Sequence, residues 1–136
     1  MIALKNVQPG ELPALVLAYV GDAVYELSVR SHLVESGLVR VNRLHDEAVK
    51  YVHAGAQAKI VRELKGILTA EETAVMRRGR NAKSSHTPRS ADVIDYRQST
   101  AFECLIGYLY LKGDTPRLEE ILTLALEMGS EKQIET

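Results

Sequence analysis

Apolar residues recur at helical spacing through most of the chain, and no segment alternates between apolar and polar residues as a half-buried strand does. The first apolar run follows a turn at residues 9–13, extends from Leu15 to Leu33 and ends at Gly37. Its periodicity of three and four residues is typical of a long helix with one buried face. The pattern therefore predicts an all-α protein.

Five further helices are predicted, each bordered by residues that favour helix ends. Asn42 and Thr115 are the predicted N-caps of the second and last helices, and residues 69–72 form a capping box. Gly113 and Gly129 are the predicted ends of the last two helices. The predicted ranges are 42–52, 57–65, 69–80, 99–112 and 115–128. Residues 1–136 then form a single domain, with a frayed tail at about 130–136.

Length and composition narrow the possible classes of protein. The chain has 136 residues, 46% of them hydrophobic, so one domain can bury roughly two-thirds of its unfolded surface. We expect a cytoplasmic protein without a membrane segment, because no apolar run approaches about 20 residues and the first residues lack a signal-peptide layout. Cys104 is the single cysteine, which excludes an intramolecular disulfide and a thiolate metal cluster within one chain.

The charge is unevenly distributed although the net charge is only −1. Residues 77–97 contain six basic and two acidic residues, a net +4, whereas the rest of the chain has 11 basic and 16 acidic residues, a net −5. A solvated loop is the simple interpretation of such a segment. The contrast with the acidic body instead favours a polyanion bound at this one place.

Two isolated carboxylates interrupt apolar helical segments about eighty residues apart. Neither Asp22 nor Glu103 has a basic residue three or four positions away, so any partner is distant in the sequence. Gly21 and Ala23 flank the first carboxylate and Gly107 follows the second by one turn, so two helices could cross closely here. A purely structural role, with both carboxylates buried and satisfied by backbone or hydroxyl groups, is the alternative interpretation.

A shared divalent cation would explain both carboxylates together. Mg²⁺ prefers one or two carboxylates, with water and substrate phosphate completing its shell. Such an ion can activate a water for attack on a phosphodiester and offset the charge that develops on the phosphate oxygens. Asp22 and Glu103 are therefore the predicted metal ligands and catalytic residues.

Two motifs carry a resemblance to a known family. The segment YVGDAVYE at residues 19–26 resembles the ribonuclease III signature, and AFECLIGYLYL at 101–111 resembles that family's second acidic helix. On a chain this short, with RGRNAK at 78–83 and YRQST at 96–100, the sequence is most similar to the Mini-ribonuclease III branch, which lacks a double-stranded-RNA-binding domain. The similarity covers nearly the whole chain.

The resemblance implies a homodimeric, all-α ribonuclease III-like endonuclease domain, a helical bundle. It implies hydrolysis of double-stranded RNA to 5′-phosphate and 3′-hydroxyl ends, in the maturation of a 23S ribosomal RNA precursor. The implied cofactor is Mg²⁺, with Mn²⁺ as a substitute, and a ribosomal protein is a further candidate partner. The residues expected to contact RNA lie in the basic segment: Arg77, Arg78, Arg80, Asn81, Lys83 and Arg89.

The sequence departs from the family pattern at two positions. Larger ribonucleases III have additional acids where this chain has Ala18 and Thr100. A less negative site predicts weaker metal binding and a requirement for millimolar Mg²⁺. The loss also leaves a second interpretation open, a non-catalytic RNA-binding or ribosome-assembly factor on the same fold.

Overall fold

A computed structural model of the chain describes residues 6–83 and 92–134. Within these ranges the chain forms a short 3-10 turn at Pro9–Glu11 and six α-helices, with no strand, which confirms the predicted all-α class. The helices are α1 (Ala14–Glu35), α2 (Val41–Val52), α3 (Ala54–Leu64), α4 (Ala70–Asn81), α5 (Val93–Lys112) and α6 (Thr115–Ile134). No helix in the described part of the chain has the length and apolar character needed to cross a membrane.

The core is built around α5, which packs against α1, α3 and α4. Every residue of α5 from 99 to 109 is buried except Glu103, so this stretch is enclosed on all sides rather than amphipathic. Phe102 packs edge to face against Tyr25 of α1, with ring centroids 4.9 Å apart. The one incompletely buried residue of the stretch is therefore a carboxylate held on a rigid core helix.

Glycines allow α1 and α5 to cross in backbone contact. A Cβ added to Gly21 would overlap the carbonyl oxygen of Glu103, and one added to Gly107 would overlap the carbonyl of Leu17. Such a close approach requires that neither residue carries a side chain. The predicted contact between two small-residue surfaces is confirmed.

Several predicted helix borders are also confirmed. The Thr69 hydroxyl accepts from the backbone N–H of Glu72, whose carboxylate accepts from the Thr69 N–H, so the capping box is complete. Gly113 ends α5 with φ of 81°, the left-handed conformation that glycine adopts without strain.

Other predicted helix starts were wrong. α5 begins at Val93, six residues before its predicted start, because the Asp92 carboxylate accepts hydrogen bonds from the N–H groups of Ile94 and Asp95 at 2.8 and 3.1 Å. Asn42 is not an N-cap but lies inside the first turn of α2, after the cap residue Arg40.

The borders of α3 and α6 also differ from prediction. α3 begins at Ala54 because the His53 side chain accepts from the Ala56 N–H at 3.1 Å, so Gly55 lies within its first turn. Thr115 is the first residue of α6, and Asp114 just before it accepts from the first turn.

The predicted end of the last helix at Gly129 was likewise wrong. α6 continues to Ile134, although the sequence predicted a frayed tail from about residue 130. The ring of Tyr51 occupies the space that a Cβ on Gly129 would need, so this glycine serves close packing within a helix rather than termination.

Candidate active site

Asp22 of α1 and Glu103 of α5 lie side by side at the helix crossing. Their side chains are within hydrogen-bonding contact, although 81 positions of sequence separate them. Asp22 is exposed and Glu103 is half-buried. The alternative interpretation, in which both carboxylates are buried, is therefore wrong for Asp22, which solvent and solutes can reach.

The environment of Glu103 destabilises the ionised form of its carboxyl group. Burial and the neighbouring charge of Asp22 raise the pKa of the Glu103 carboxyl from 4.5 to about 8, and a hydrogen bond from the Gln57 side chain acts in the opposite direction. Among the described residues, no lysine or arginine forms an ion pair with either carboxylate. Two adjacent carboxylates without a basic partner favour a cation at this position.

Gln57 of α3 is a third polar group at this site, and the sequence interpretation missed it. Its side chain is 2% exposed, and its Nε2 donates to the Val52 carbonyl at 2.9 Å. A signal was present in the sequence: Gln57 shares a helix face with the buried apolar residues Ile60, Val61 and Leu64. A polar residue on an apolar face needs a partner inside the protein.

The two positions at which larger ribonucleases III have additional acids are both buried in this chain. Ala18 and Thr100 are each 7% exposed, and the Thr100 hydroxyl donates to the Tyr96 carbonyl at 3.1 Å. In the described residues, histidine, cysteine and acidic side chains do not assemble in any group of three or more that could hold a metal. The carboxylate pair is thus not reinforced by a further acidic ligand from those residues.

Three predicted RNA-contacting residues lie on exposed parts of α4 or directly after it. Arg77 and Arg80 border a groove of about 320 Å³ between α3, α4 and α5, which Lys65 also lines. Lys83 borders a second groove of about 390 Å³ with Arg97. Exposed cations beside grooves can contact a polyanion without disturbing the core.

The other predicted RNA-contacting residues have different surroundings. Arg78 is exposed, but its Nη2 donates to the Leu12 carbonyl at 2.6 Å and so ties α4 to the segment before α1. Asn81 is exposed at the end of α4 and accepts from the Arg80 side chain at 3.4 Å. Arg89 lies outside the described residues.

Two other polar residues of α1 and α5 have structural surroundings. Glu26 and Arg30 form an exposed ion pair at 3.0 Å, rather than part of the carboxylate site. Cys104 is fully buried, its thiol donates to the Ala14 carbonyl, and burial raises its pKa to about 12. It is a packed core residue, not a nucleophile.

Comparison with known proteins gives consistent matches. The ribonuclease III domain model matches residues 15–114. The chain is 52% identical to the Mini-ribonuclease 3 of Symbiobacterium thermophilum, over 91% of this chain and 95% of that protein. It is 53% identical to the Mini-ribonuclease 3 of Brevibacillus brevis, over 82% and 83%. A crystal structure of a Fusobacterium nucleatum protein matches with a TM-score of 0.77 at 28% identity, covering 86% of this chain and 93% of that one.

The chain is an all-α domain with paired carboxylates at a helix crossing, and it matches the ribonuclease III domain and Mini-ribonucleases 3. It is therefore an endoribonuclease. The chain belongs to the ribonuclease III family, and its relatives are Mini-ribonucleases 3. That family acts on double-stranded RNA as a dimer and generally depends on divalent metal ions.

Proposed function

We propose that this endoribonuclease uses Mg²⁺ held by Asp22 and Glu103 to cleave double-stranded RNA during maturation of the 23S ribosomal RNA precursor. The observation that carries the proposal is the contact between these two carboxylates, which come from helices distant in sequence and have no basic partner among the described residues. The resemblance to Mini-ribonuclease III supports the choice of substrate.

The donor chemistry of the site fits magnesium. Both side chains present oxygen atoms, which hard divalent cations prefer, and the exposure of Asp22 leaves room for the waters that Mg²⁺ retains. The ion would supply an activated water and would offset the charge on the phosphate oxygens. Mn²⁺ has similar ligand preferences and is the expected substitute.

Residues of the chain would position the site and bind the phosphates of the duplex. Glu103, fixed on the buried core helix, sets the position of the site, and Asp22 meets the solution beside it. Exposed cations, among them Arg77, Arg80 and Lys83, would bind phosphates of the duplex. Such contacts suit A-form RNA, which a protein recognises mainly by its shape and 2′-hydroxyls.

A homodimer is part of the proposal. α1 presents large apolar side chains to solvent, including Tyr19 at 80%, Leu27 at 62% and Val34 at 60% exposed, and a second copy of the chain would cover them. A two-fold symmetric pair of sites also suits the two antiparallel strands of a duplex. The exposed apolar residues of this helix also include Leu15 and Val16 in its first half.

The test is cleavage of a defined RNA duplex with Mg²⁺ or with EDTA, followed by end-group analysis. We expect cleavage only with metal, to 5′-phosphate and 3′-hydroxyl ends. Asp22→Asn should fold and bind the duplex but lose cleavage. A wild-type protein that binds the duplex and never cuts it, with either Mg²⁺ or Mn²⁺, would instead support the non-catalytic RNA-binding factor.

A further inference from the structure

Gln57 carries a buried polar atom whose partner is missing. Its side-chain oxygen Oε1 is buried and accepts no hydrogen bond from any described residue. A buried acceptor without a donor is unfavourable, because it has lost its hydrogen bonds to water and gained none in the protein. This oxygen is therefore available to a donor from outside the described residues, such as a bound water.

The orientation of the amide is fixed by its other contact. The Val52 carbonyl at 2.9 Å can only accept a hydrogen bond, so it must face Nε2 and not Oε1. A flip of the amide would bring two acceptor oxygens together. The missing partner of Oε1 consequently cannot be explained by exchanging the two ends of the amide.

The same amide reaches the carboxylate pair. The Gln57 side chain interacts with Glu103 and lowers the pKa of its carboxyl, and because an ionised carboxylate can only accept, the amide N–H is the donor. The Gln57 amide is thus held to the end of α2 by its hydrogen bond to Val52 and interacts with Glu103 in the middle of α5. Its backbone is held too, since the Gln57 N–H donates to the His53 carbonyl at 3.1 Å.

We propose that Gln57 is a positioning residue for the cation site: its amide N–H orients Glu103, and its Oε1 accepts a hydrogen bond from a water carried by the bound ion. This inference rests on the proposed function, because it requires a hydrated divalent cation at Asp22 and Glu103. Groups behind the direct ligands orient those ligands, and replacing such a group commonly weakens metal affinity by about 10–100-fold.

The test measures the affinity of the protein for Mn²⁺ from the electron paramagnetic resonance signal of free Mn²⁺. Circular dichroism first shows that each variant is folded. Gln57→Met keeps the length of the side chain and removes both hydrogen-bonding groups. We expect its dissociation constant for Mn²⁺ to rise about tenfold or more. Gln98→Met, the same substitution at a half-buried glutamine of α5, should change the constant less than twofold.

Two further variants make every outcome decisive. If Gln57→Met does not fold, Gln57→Asn takes its place, because it keeps the amide but shortens the side chain. Its dissociation constant for Mn²⁺ should also rise about tenfold or more. A folded position-57 variant with a Mn²⁺ dissociation constant within twofold of wild type would overturn the inference, provided that Asp22→Asn weakens binding. If Asp22→Asn also binds Mn²⁺ like the wild type, the carboxylate metal site itself is wrong, and the inference fails with it.

Discussion

Gly21 and Gly107 face each other where α1 crosses α5, each so close to the opposite backbone that a Cβ on either would overlap a carbonyl oxygen. This contact creates the candidate active site. Asp22 directly follows the first glycine and Glu103 precedes the second by one helical turn, so the closest approach of the two helices brings the carboxylates together.

Adding a methyl group at this crossing should be strongly destabilising. Gly107→Ala improves helix propensity by about 1 kcal/mol, but the overlap with the Leu17 carbonyl forces the two backbones apart. We expect a net loss of about 3 kcal/mol or more in the free energy of unfolding, measured in urea. Gly10→Ala, at a glycine where an added Cβ would meet no other atom within 4 Å, is the control and should change the free energy of unfolding by less than about 0.5 kcal/mol. Equal effects at both positions would contradict this role of the crossing.

Much of this arrangement could be predicted because its causes are local in the sequence. The Thr69 capping box and the left-handed Gly113 have signatures of a few residues, and both occur where predicted. The contact of Asp22 with Glu103 could be predicted because both carboxylates interrupt apolar segments and have no basic residue three or four positions away, so any partner is distant in the sequence. A glycine directly precedes Asp22, and another follows Glu103 by one helical turn.

The remaining features depend on contacts that a linear pattern does not specify. Gly129 resembles a helix stop, but the Tyr51 ring, 78 positions earlier, makes it a packing residue inside α6. The early start of α5 depends on the Asp92 side chain, which periodicity does not detect because the first turn of the helix is exposed. The proposed role of Gln57 depends on the packing of α3 against α5, because the helical pattern shows a polar residue on an apolar face but not its partner.

Stability of the metal-free protein should fall as the pH rises. The pKa of Glu103 is about 8 in the folded chain and near 4.5 when unfolded, so between these values the folded state holds the proton more tightly. The resulting stabilisation is complete below about pH 4.5 and is lost as the pH rises through about 8. We expect Tm in EDTA to fall by roughly 5 °C or more from pH 6 to pH 9, measured by thermal unfolding.

The control is Glu103→Gln, which stays neutral at every pH and should show a smaller change across the same range. An excess of Mg²⁺ should also reduce the decline for the wild type, because the ion stabilises the charged carboxylate. If Tm changes with pH by the same amount in the wild type and in Glu103→Gln, Glu103 does not titrate in this range.

Cleavage should require millimolar Mg²⁺. The site has two carboxylates, and Ala18 and Thr100 occupy the positions at which larger relatives add acids, so fewer negative charges attract the ion. We expect the rate of duplex cleavage to increase with Mg²⁺ into the millimolar range. Saturation at micromolar Mg²⁺ would indicate ligands beyond Asp22 and Glu103. Glu103→Gln should show no saturable increase.

A second buried polar contact should contribute to stability and not to catalysis. Glu72 is 4% exposed and accepts two hydrogen bonds from Arg117, at 2.7 and 2.8 Å. Arg117→Met would leave a buried carboxylate without its cation, and we expect the free energy of unfolding to fall by about 3–5 kcal/mol. Arg30→Met removes the exposed pair with Glu26 and should change it by less than about 1 kcal/mol. Cleavage by folded Arg117→Met at saturating Mg²⁺ should equal that of the wild type.

The salt dependence of RNA binding should identify the cations that contact phosphate. Replacing Arg80 and Lys83 together by glutamine should lower the slope of log affinity against log salt concentration by about two, roughly one for each phosphate that is no longer neutralised. Arg40 and Arg43, the N-cap and a first-turn residue of α2, line neither groove, and replacing both removes the same charge and should change the slope by less than about one. Arg78→Gln should mainly lower stability, because it removes the hydrogen bond to the Leu12 carbonyl. An equal decrease in slope for both double variants would mean that the net charge of the chain, rather than the basic surface of α4, controls binding.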